Sequence, residues 1–166
     1  MSLYGVGQLA ASMRAVRQNT ILIAGDIPEP QYAFRATPET RSVAETLVHI
    51  AWLSTADRFM HEEKRLHSLE GFDFPALLEM SASEERTARS KAEIIERLRV
   101  EGDRAAQWIE GLSDAFVSET VHVPGGGSVT RFEMLLATKE HELQHRAQLT
   151  VLERLLGITP RFTGLA

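Results

Sequence analysis

Apolar residues recur every three to four positions in four long stretches of the chain, the spacing that places them on one face of an α-helix. The stretches cover roughly residues 3–24, 40–63, 90–112 and 131–157. In the first stretch the mostly apolar face consists of Leu9, Met13, Val16, Thr20 and Ile23. Four helices of about 20 residues, each with one apolar face, predict a four-helix bundle.

Polar residues at the ends of two stretches support these boundaries. Ser90 is followed three residues later by Glu93, and Thr130 by Glu133, which is the spacing of a capping box at a helix start. Gly157 suits the C-terminal end of the last helix.

Two segments lie outside the four predicted helices. Residues 71–84 predict a loop with room for one short helix. The sequence FVSETVHV, followed by PGGGS, alternates weakly and predicts a short irregular or hairpin segment before the last helix. Since two strands do not make a sheet core, we expect an all-α fold and a single domain over residues 1–166.

Composition narrows the class of protein. The 166 residues are 43% hydrophobic and 25% charged, as in folded globular proteins, and the net charge of -5 comes without a long basic run, so we expect no nucleic-acid partner. The chain has no cysteine, which excludes disulfides and thiolate metal sites and fits a reducing cytoplasm. No apolar stretch approaches the ~20 residues of a membrane span, and no signal-peptide pattern is present.

Residues 141–145 read HELQH, the His-Glu-x-x-His form found in zinc metalloproteases. A protease would need a third ligand further along the chain. The extended motif requires Gly at position 148 and His at position 151, where this chain has Gln148 and Val151. The remaining downstream carboxylate, Glu153, lies about 12 Å from His145 along the same helix, too far to share one ion. The sequence therefore does not favour a protease.

The two histidines of this motif still need an explanation. His141 and His145 are four residues apart and share one helical face, which we expect to point into the bundle, whereas Glu142 is rotated by about 100° and should face elsewhere. The same face carries Met134, Thr138, Gln148, Leu152 and Leu155. Burying two unpaired imidazoles costs roughly 1–3 kcal/mol each, a cost that a shared cation removes. The simpler alternative is that both are polar core residues.

A third ligand would have to come from another helix. The other histidines that qualify are His49, His61, His67 and His122. His49, in ETLVHIAWL, has apolar neighbours and is the best candidate, although alone it could be a core histidine bonded to a backbone or hydroxyl group. His61 and His67 lie among charged residues that indicate a solvated helix end, and His122 lies in the presumed hairpin.

His49 on the second helix and HELQHRAQL on the last resemble the DinB-like family. The resemblance extends over nearly the whole chain and includes TRFEMLLATKEHELQHRAQLTVLERLLGITP. It implies a four-helix bundle in up-down-down-up order, a homodimer, and a metal site formed here by His49, His141 and His145. Family members often continue with Arg-Gly-Gln, where this chain has Arg-Ala-Gln at 146–148. We expect the alanine to affect close packing and not the ligand set.

Three neutral imidazoles leave coordination positions open, which is the catalytic arrangement and not the closed structural one. We expect one divalent transition-metal ion, which could be Zn, Ni or Fe because imidazole suits all three.

The resemblance also implies a reaction, because the family includes transferases that use bacillithiol or mycothiol and a thiol-dependent maleylpyruvate isomerase. Our leading hypothesis is a metal-dependent transferase with two partners, a low-molecular-weight thiol and an electrophilic substrate. One alternative is a metal-dependent hydrolase with a metal-bound water as nucleophile. Another is a non-catalytic dimeric protein, stress-related, in which the metal is structural or absent.

Overall fold

Six helices and one β-hairpin follow each other along residues 4–161, the part of the chain that this computed structural model describes. In chain order they are α1 (Val6–Asp26), α2 (Val43–Arg58), α3 (Phe74–Arg86), α4 (Lys91–Glu110), α5 (Asp114–Val117), β1 (Thr120–Val123), β2 (Gly127–Thr130) and α6 (Arg131–Leu155). A 3-10 turn covers Glu29–Gln31, and a π-helical turn at Phe59–Glu63 continues α2. The predicted start of the first helix at residue 3 lies outside the described residues.

The long helices α1, α2, α4 and α6 form the predicted four-helix bundle. α1 and α2 lie diagonally, and each packs against both α4 and α6. The predicted apolar face of α1 is buried along its whole length. α2 is buried on nearly every side because α3 covers the surface that α4 and α6 leave open. None of the helices within residues 4–161 combines the length and apolarity that a bilayer span requires.

The helix starts show which local signals determine the boundaries. The hydroxyls of Ser90 and Thr130 accept hydrogen bonds from backbone N–H groups three residues on, so both predicted capping boxes are confirmed. The start predicted near residue 40 was wrong, because α2 begins after Ser42, whose side chain forms a capping box with Glu45. The sequence Ser-x-x-Glu at 42–45 carries this signal.

The segment between α2 and α4 is more ordered than predicted. It contains α3, a helix of 13 residues, whose first turn is capped by the Asp73 carboxylate accepting from the Ala76 N–H at 2.9 Å. α3 buries only Leu77 and Ser81, while Leu78 is 60% exposed. Since its apolar residues do not all face the protein, periodicity could not identify the helix.

The predicted hairpin before the last helix is confirmed. β1 and β2 pair antiparallel, with Val123 opposite Gly127 at the turn. Gly125 and Gly126 have φ angles of 93° and 90°, a conformation that side chains disfavour. The hairpin ends directly at the N-terminus of α6 and so fixes where that helix begins.

A buried ion pair crosses the centre of the bundle. Arg17 donates from Nε and Nη2 to the two carboxylate oxygens of Glu142, at 2.9 and 3.0 Å. Its guanidinium also donates to the carbonyls of Leu98 and Ile50, at 2.9 and 3.2 Å, and Thr20 donates to Glu142 at 2.8 Å. These bonds connect all four long helices through one charged side chain.

Gly102 on α4 makes room for this arginine. A Cβ at position 102 would lie 2.6 Å from Cγ of Arg17, which its hydrogen bonds hold in place. We therefore expect Gly102→Ala to lower the free energy of unfolding by about 1–3 kcal/mol, the usual cost of overpacking, measured by urea denaturation. Gly25→Ala on α1 is the matched control, because nothing lies within 4 Å of its added Cβ, and it should gain about 0.5–1 kcal/mol. Equal gains in both variants would contradict the packing role of Gly102.

Candidate metal centre

The rings of His49 on α2 and of His141 and His145 on α6 converge between the two helices. The ring centroid of His49 lies 5.5 Å from that of His141 and 4.7 Å from that of His145. One ring nitrogen from each residue lies within 4.8 Å of the other two. The three histidines singled out in the sequence therefore lie together, while ion binding by them stays a prediction.

The Glu of the HELQH motif faces away from this cluster, as its rotation around the helix predicts. Glu142 is 4% exposed, and both carboxylate oxygens accept hydrogen bonds from Arg17. A base in this position could not reach a substrate at the histidines. The amino-acid sequence of the motif therefore matches that of the zinc metalloproteases, but its glutamate does not face the histidines.

Polar residues of α3 orient His49. Its Nδ1 lies 3.0 Å from Ser81 Oγ and 2.9 Å from Glu85 Oε1. Burial acts to raise the pKa of Glu85, but hydrogen bonds from His49, Arg41 and Ser81 outweigh it and lower that pKa to about 2. Because an ionised carboxylate only accepts, His49 Nδ1 donates to it, and in the neutral imidazole this places the lone pair on Nε2.

Nε2 of His49 provides the test of whether these residues fit a metal ion. It is buried and has no hydrogen-bond partner among residues 4–161. A buried acceptor without a partner costs about 1–3 kcal/mol. The carboxylate–imidazole pair behind it is the arrangement that orients histidine ligands of metal ions. The donor set and its supporting residues therefore fit a divalent transition-metal ion.

His145 is oriented in the same way by its own helix. Its Nδ1 lies 2.8 Å from Oε1 of Gln148, an acceptor, which places the lone pair of the neutral ring on Nε2. Burial, together with the nearby His49 and Arg41, lowers the pKa of both His141 and His145, that of His145 to about 4. Both rings are thus neutral near pH 7, the form that binds metal ions. Their Nε2 atoms are 2.8 Å apart.

The predicted inward face of α6 was partly wrong. His145 is buried, but His141 and Gln148 are exposed, and Leu155 is 59% exposed. The residues that α6 buries are Arg131, Leu135, Glu142, His145, Leu149, Leu152 and Glu153. The buried face of the helix includes Arg131 and Glu142, which pair with Glu119 and Arg17, and a search for apolar residues does not find such positions. As a result, the histidine cluster opens to solvent at His141.

A cleft of about 640 Å³ adjoins the cluster at His145. It is bordered by the loop before α2, by α2 and α3, and by α6, through Ala36, Glu39, Thr40, Arg41, Thr46, Glu85, His145, Gln148, Val151 and Leu152. Arg41 donates from Nε to Glu85 Oε2 at 2.7 Å. The cleft gives a small molecule access to the same residues that orient the histidines.

The other three candidate histidines do not join the cluster. His61 was predicted to be solvated but is 1% exposed, because it lies in the π-helical turn, where α-helical periodicity no longer applies. Its Nδ1 accepts from Arg131 at 3.1 Å, and burial with the arginine charge lowers its pKa to about 4. His67 and His122 are exposed, and His122 Nδ1 lies 2.9 Å from Ser128 Oγ.

A buried acid lies between the same two helices as the histidines. Asp57 on α2 is 3% exposed and accepts a hydrogen bond of 2.8 Å from the hydroxyl of Thr138 on α6. Burial raises the pKa of Asp57 to about 7, against a smaller lowering by the Thr138 hydroxyl. No motif or spacing in the sequence singles out this residue.

Comparison with known proteins places this geometry in context. Residues 12–149 match the family model described as the DinB superfamily. The solved DinB-like protein YjoA from Bacillus subtilis is 18% identical, with a TM-score of 0.69 over 94% of this chain and 96% of that chain. YfiT from Bacillus subtilis, described as a probable metal-dependent hydrolase with an unusual four-helix bundle topology, is 16% identical, with a TM-score of 0.71 over 96% and 91%. No curated protein matches significantly. At these identities the two structures show a common fold.

Asp57 predicts a pH dependence of stability. Its pKa is about 7 in the folded chain and about 3.9 in an unfolded one, so between these values only the unfolded chain releases the proton. Stability should fall as pH rises from 4 to 7, by up to about 1.4 kcal/mol per unit from this residue. Asp57→Asn should remove that decline in urea unfolding series. Parallel wild-type and variant profiles would contradict the assignment.

Proposed function

Because the chain belongs to the DinB superfamily, we propose that it is a metal-dependent enzyme whose His49, His141 and His145 hold one divalent transition-metal ion. The observation that carries the proposal is the buried Nε2 of His49, which has no hydrogen-bond partner within residues 4–161 and has a ring nitrogen of each other histidine nearby. Glu85 and Gln148 bind Nδ1 of His49 and of His145, and so direct the two Nε2 atoms toward the centre of the cluster. The exposure of His141 favours an accessible, catalytic ion over an enclosed structural one.

We further propose that the reaction transfers a low-molecular-weight thiol to an electrophile. When bound, a divalent ion supplies Lewis acidity, which lowers the pKa of a thiol that it coordinates. The chain has no cysteine, so the sulfur has to come from a cosubstrate. The sulfur would form a bond to the electrophilic carbon, the leaving group would depart with the electron pair, and the thiol proton would pass to solvent.

The engagement of Glu85 and Glu142 by other side chains favours a reaction that needs neither of them as a base. Glu142 is bound by Arg17, and Glu85 is bound by His49 and Arg41. Neither is free to remove a proton from a substrate. The chain's own contribution is to orient His49 and His145, and to leave one side of the cluster open at His141.

Hydrolysis is the second candidate, favoured by the description of YfiT as a probable metal-dependent hydrolase. Water would then take the place of the thiol at the same three histidines. The two reactions differ in one requirement that can be measured directly, since only the transferase depends on an added thiol. A homodimer and a cytoplasmic location stay predictions from the sequence.

Metal content tests the site itself. We expect about one divalent ion per chain in protein purified without an affinity tag, measured by elemental analysis, and almost none after His49→Ala, His141→Ala or His145→Ala. Glu85→Gln should weaken the affinity about 10–100-fold, the usual effect of removing a residue that orients a ligand.

Two matched controls come from the chain's own exposed histidines. His67→Ala and His122→Ala should keep the full metal content, because both rings lie outside the cluster. If His141→Ala retains as much metal as the wild type while folding normally, the ion is held elsewhere and the proposal fails.

Thiol dependence tests the reaction. Metal-loaded protein should accelerate conjugation of bacillithiol, mycothiol or glutathione to 1-chloro-2,4-dinitrobenzene or monobromobimane, followed by absorbance or fluorescence. A chelator or His141→Ala should return the rate to that of the uncatalysed mixture. Ester hydrolysis that proceeds without thiol would support the hydrolase instead. Loaded protein that performs neither reaction would contradict both candidates.

A further inference from the structure

The cleft beside the histidines is bordered by a guanidinium group, that of Arg41, whose hydrogen-bonding capacity is only partly used. Arg41 uses Nε to pair with Glu85, and its two terminal nitrogens have no hydrogen-bond partner within residues 4–161. Its side chain is 40% exposed and borders the cleft. The neighbouring Arg35, by contrast, donates to Glu45 and to the carbonyl of Thr40. Arg35 therefore stabilises the loop before α2, whereas the terminal nitrogens of Arg41 are available to a ligand in the cleft.

The position of Arg41 is fixed from both sides. Glu85 anchors its guanidinium from α3, and the bond from Arg35 to Thr40 anchors the preceding backbone. A guanidinium held in this way binds an anion with little loss of conformational freedom, and its planar fork suits the two oxygens of a carboxylate.

The other residues that line the cleft indicate the chemical character of a ligand that would fit it. Ala36, Val151 and Leu152 contribute apolar surface, and Val151 is 53% exposed. Two acids at the cleft oppose an anion, namely Glu85, which is paired with Arg41 and His49, and Glu39, an exposed residue at the border. The lining therefore suits a small molecule that has an apolar portion and an anionic group.

We propose that Arg41 is the specificity-determining residue of this cleft and binds a carboxylate of the substrate or of the cosubstrate thiol, with the reacting group at the three histidines. The proposal rests on the proposed function and names its ligand class. The carboxylate accepts from the terminal nitrogens of Arg41 while Nε stays with Glu85. A neutral ligand of the same size lacks this contact and binds more weakly.

A binding experiment tests the proposal without relying on turnover. Cobalt-loaded protein is titrated with 3-mercaptopropionate and with 2-mercaptoethanol, following the near-ultraviolet absorption of the cobalt–thiolate bond. If the carboxylate belongs to the thiol, the wild type should prefer 3-mercaptopropionate by about tenfold or more. Arg41→Gln should lose most of this preference and Arg41→Lys should keep part of it. Arg86→Gln, at an exposed arginine of α3 that pairs with Glu79, should change nothing.

A second arm uses metal-free protein and glutarate, and covers the case in which the carboxylate belongs to the electrophile. Glutarate at millimolar concentration should raise the unfolding temperature of the wild type and of Arg86→Gln, but not that of Arg41→Gln. Either Arg41-dependent effect supports the proposal. If neither arm depends on Arg41 while the variants bind cobalt normally, the proposal is overturned.

If the proposed function is wrong, the cobalt titration gives a different result from the one expected if only the role of Arg41 is wrong. A wild type that binds no cobalt, or shows no thiolate absorption with either thiol, contradicts the metal-dependent thiol reaction. The glutarate arm then still decides whether the cleft takes an anion through Arg41, because it requires no metal.

Discussion

The ion pair between Arg17 and Glu142 is the interaction on which the arrangement of the site depends. It joins α1 to α6 directly and reaches the backbones of α2 and α4. Because Glu142 is held toward α1, the helical repeat turns the neighbouring His141, and His145 one turn later, toward α2 and His49. A buried charge that loses its partner typically costs 3–5 kcal/mol, so rotation of α6 away from this setting is strongly opposed. The orientation of two candidate ligands thus follows from a residue that does not touch them.

The sequence predicted the four helices, the hairpin and the trio of candidate histidines, because these depend on local spacing, on capping residues and on a recognisable family pattern. It did not predict the residues that orient His49. Ser81 and Glu85 belong to α3, whose apolar residues are largely exposed, so neither the helix nor its polar face had a periodic signal. Arg41 lies in a loop, where contacts at long range along the chain decide which way a side chain points.

Two further errors have a common physical origin. The inward face of α6 and the exposure of His61 were both judged from the polarity of neighbouring residues. In the folded chain Arg131 is fully buried, since Glu119, His61 and the carbonyl of Leu66 satisfy its guanidinium. Glu142 is buried for a similar reason. A charged side chain that has a partner can lie in the interior, at a position that a pattern of polar and apolar residues would assign to the surface. These partners can be recognised only once the helices have been packed together.

The shallow attachment of α3 has a consequence for the dynamics of the site. α3 packs mainly against α2 and buries only Leu77 and Ser81, yet it supplies the carboxylate behind His49. An ion held by His49 would favour the docked position of α3, and docking would favour the ion by the same coupling free energy. Binding of an ion would then oppose local opening of this helix, so slower amide hydrogen exchange in residues 74–86 would indicate that the histidines hold an ion.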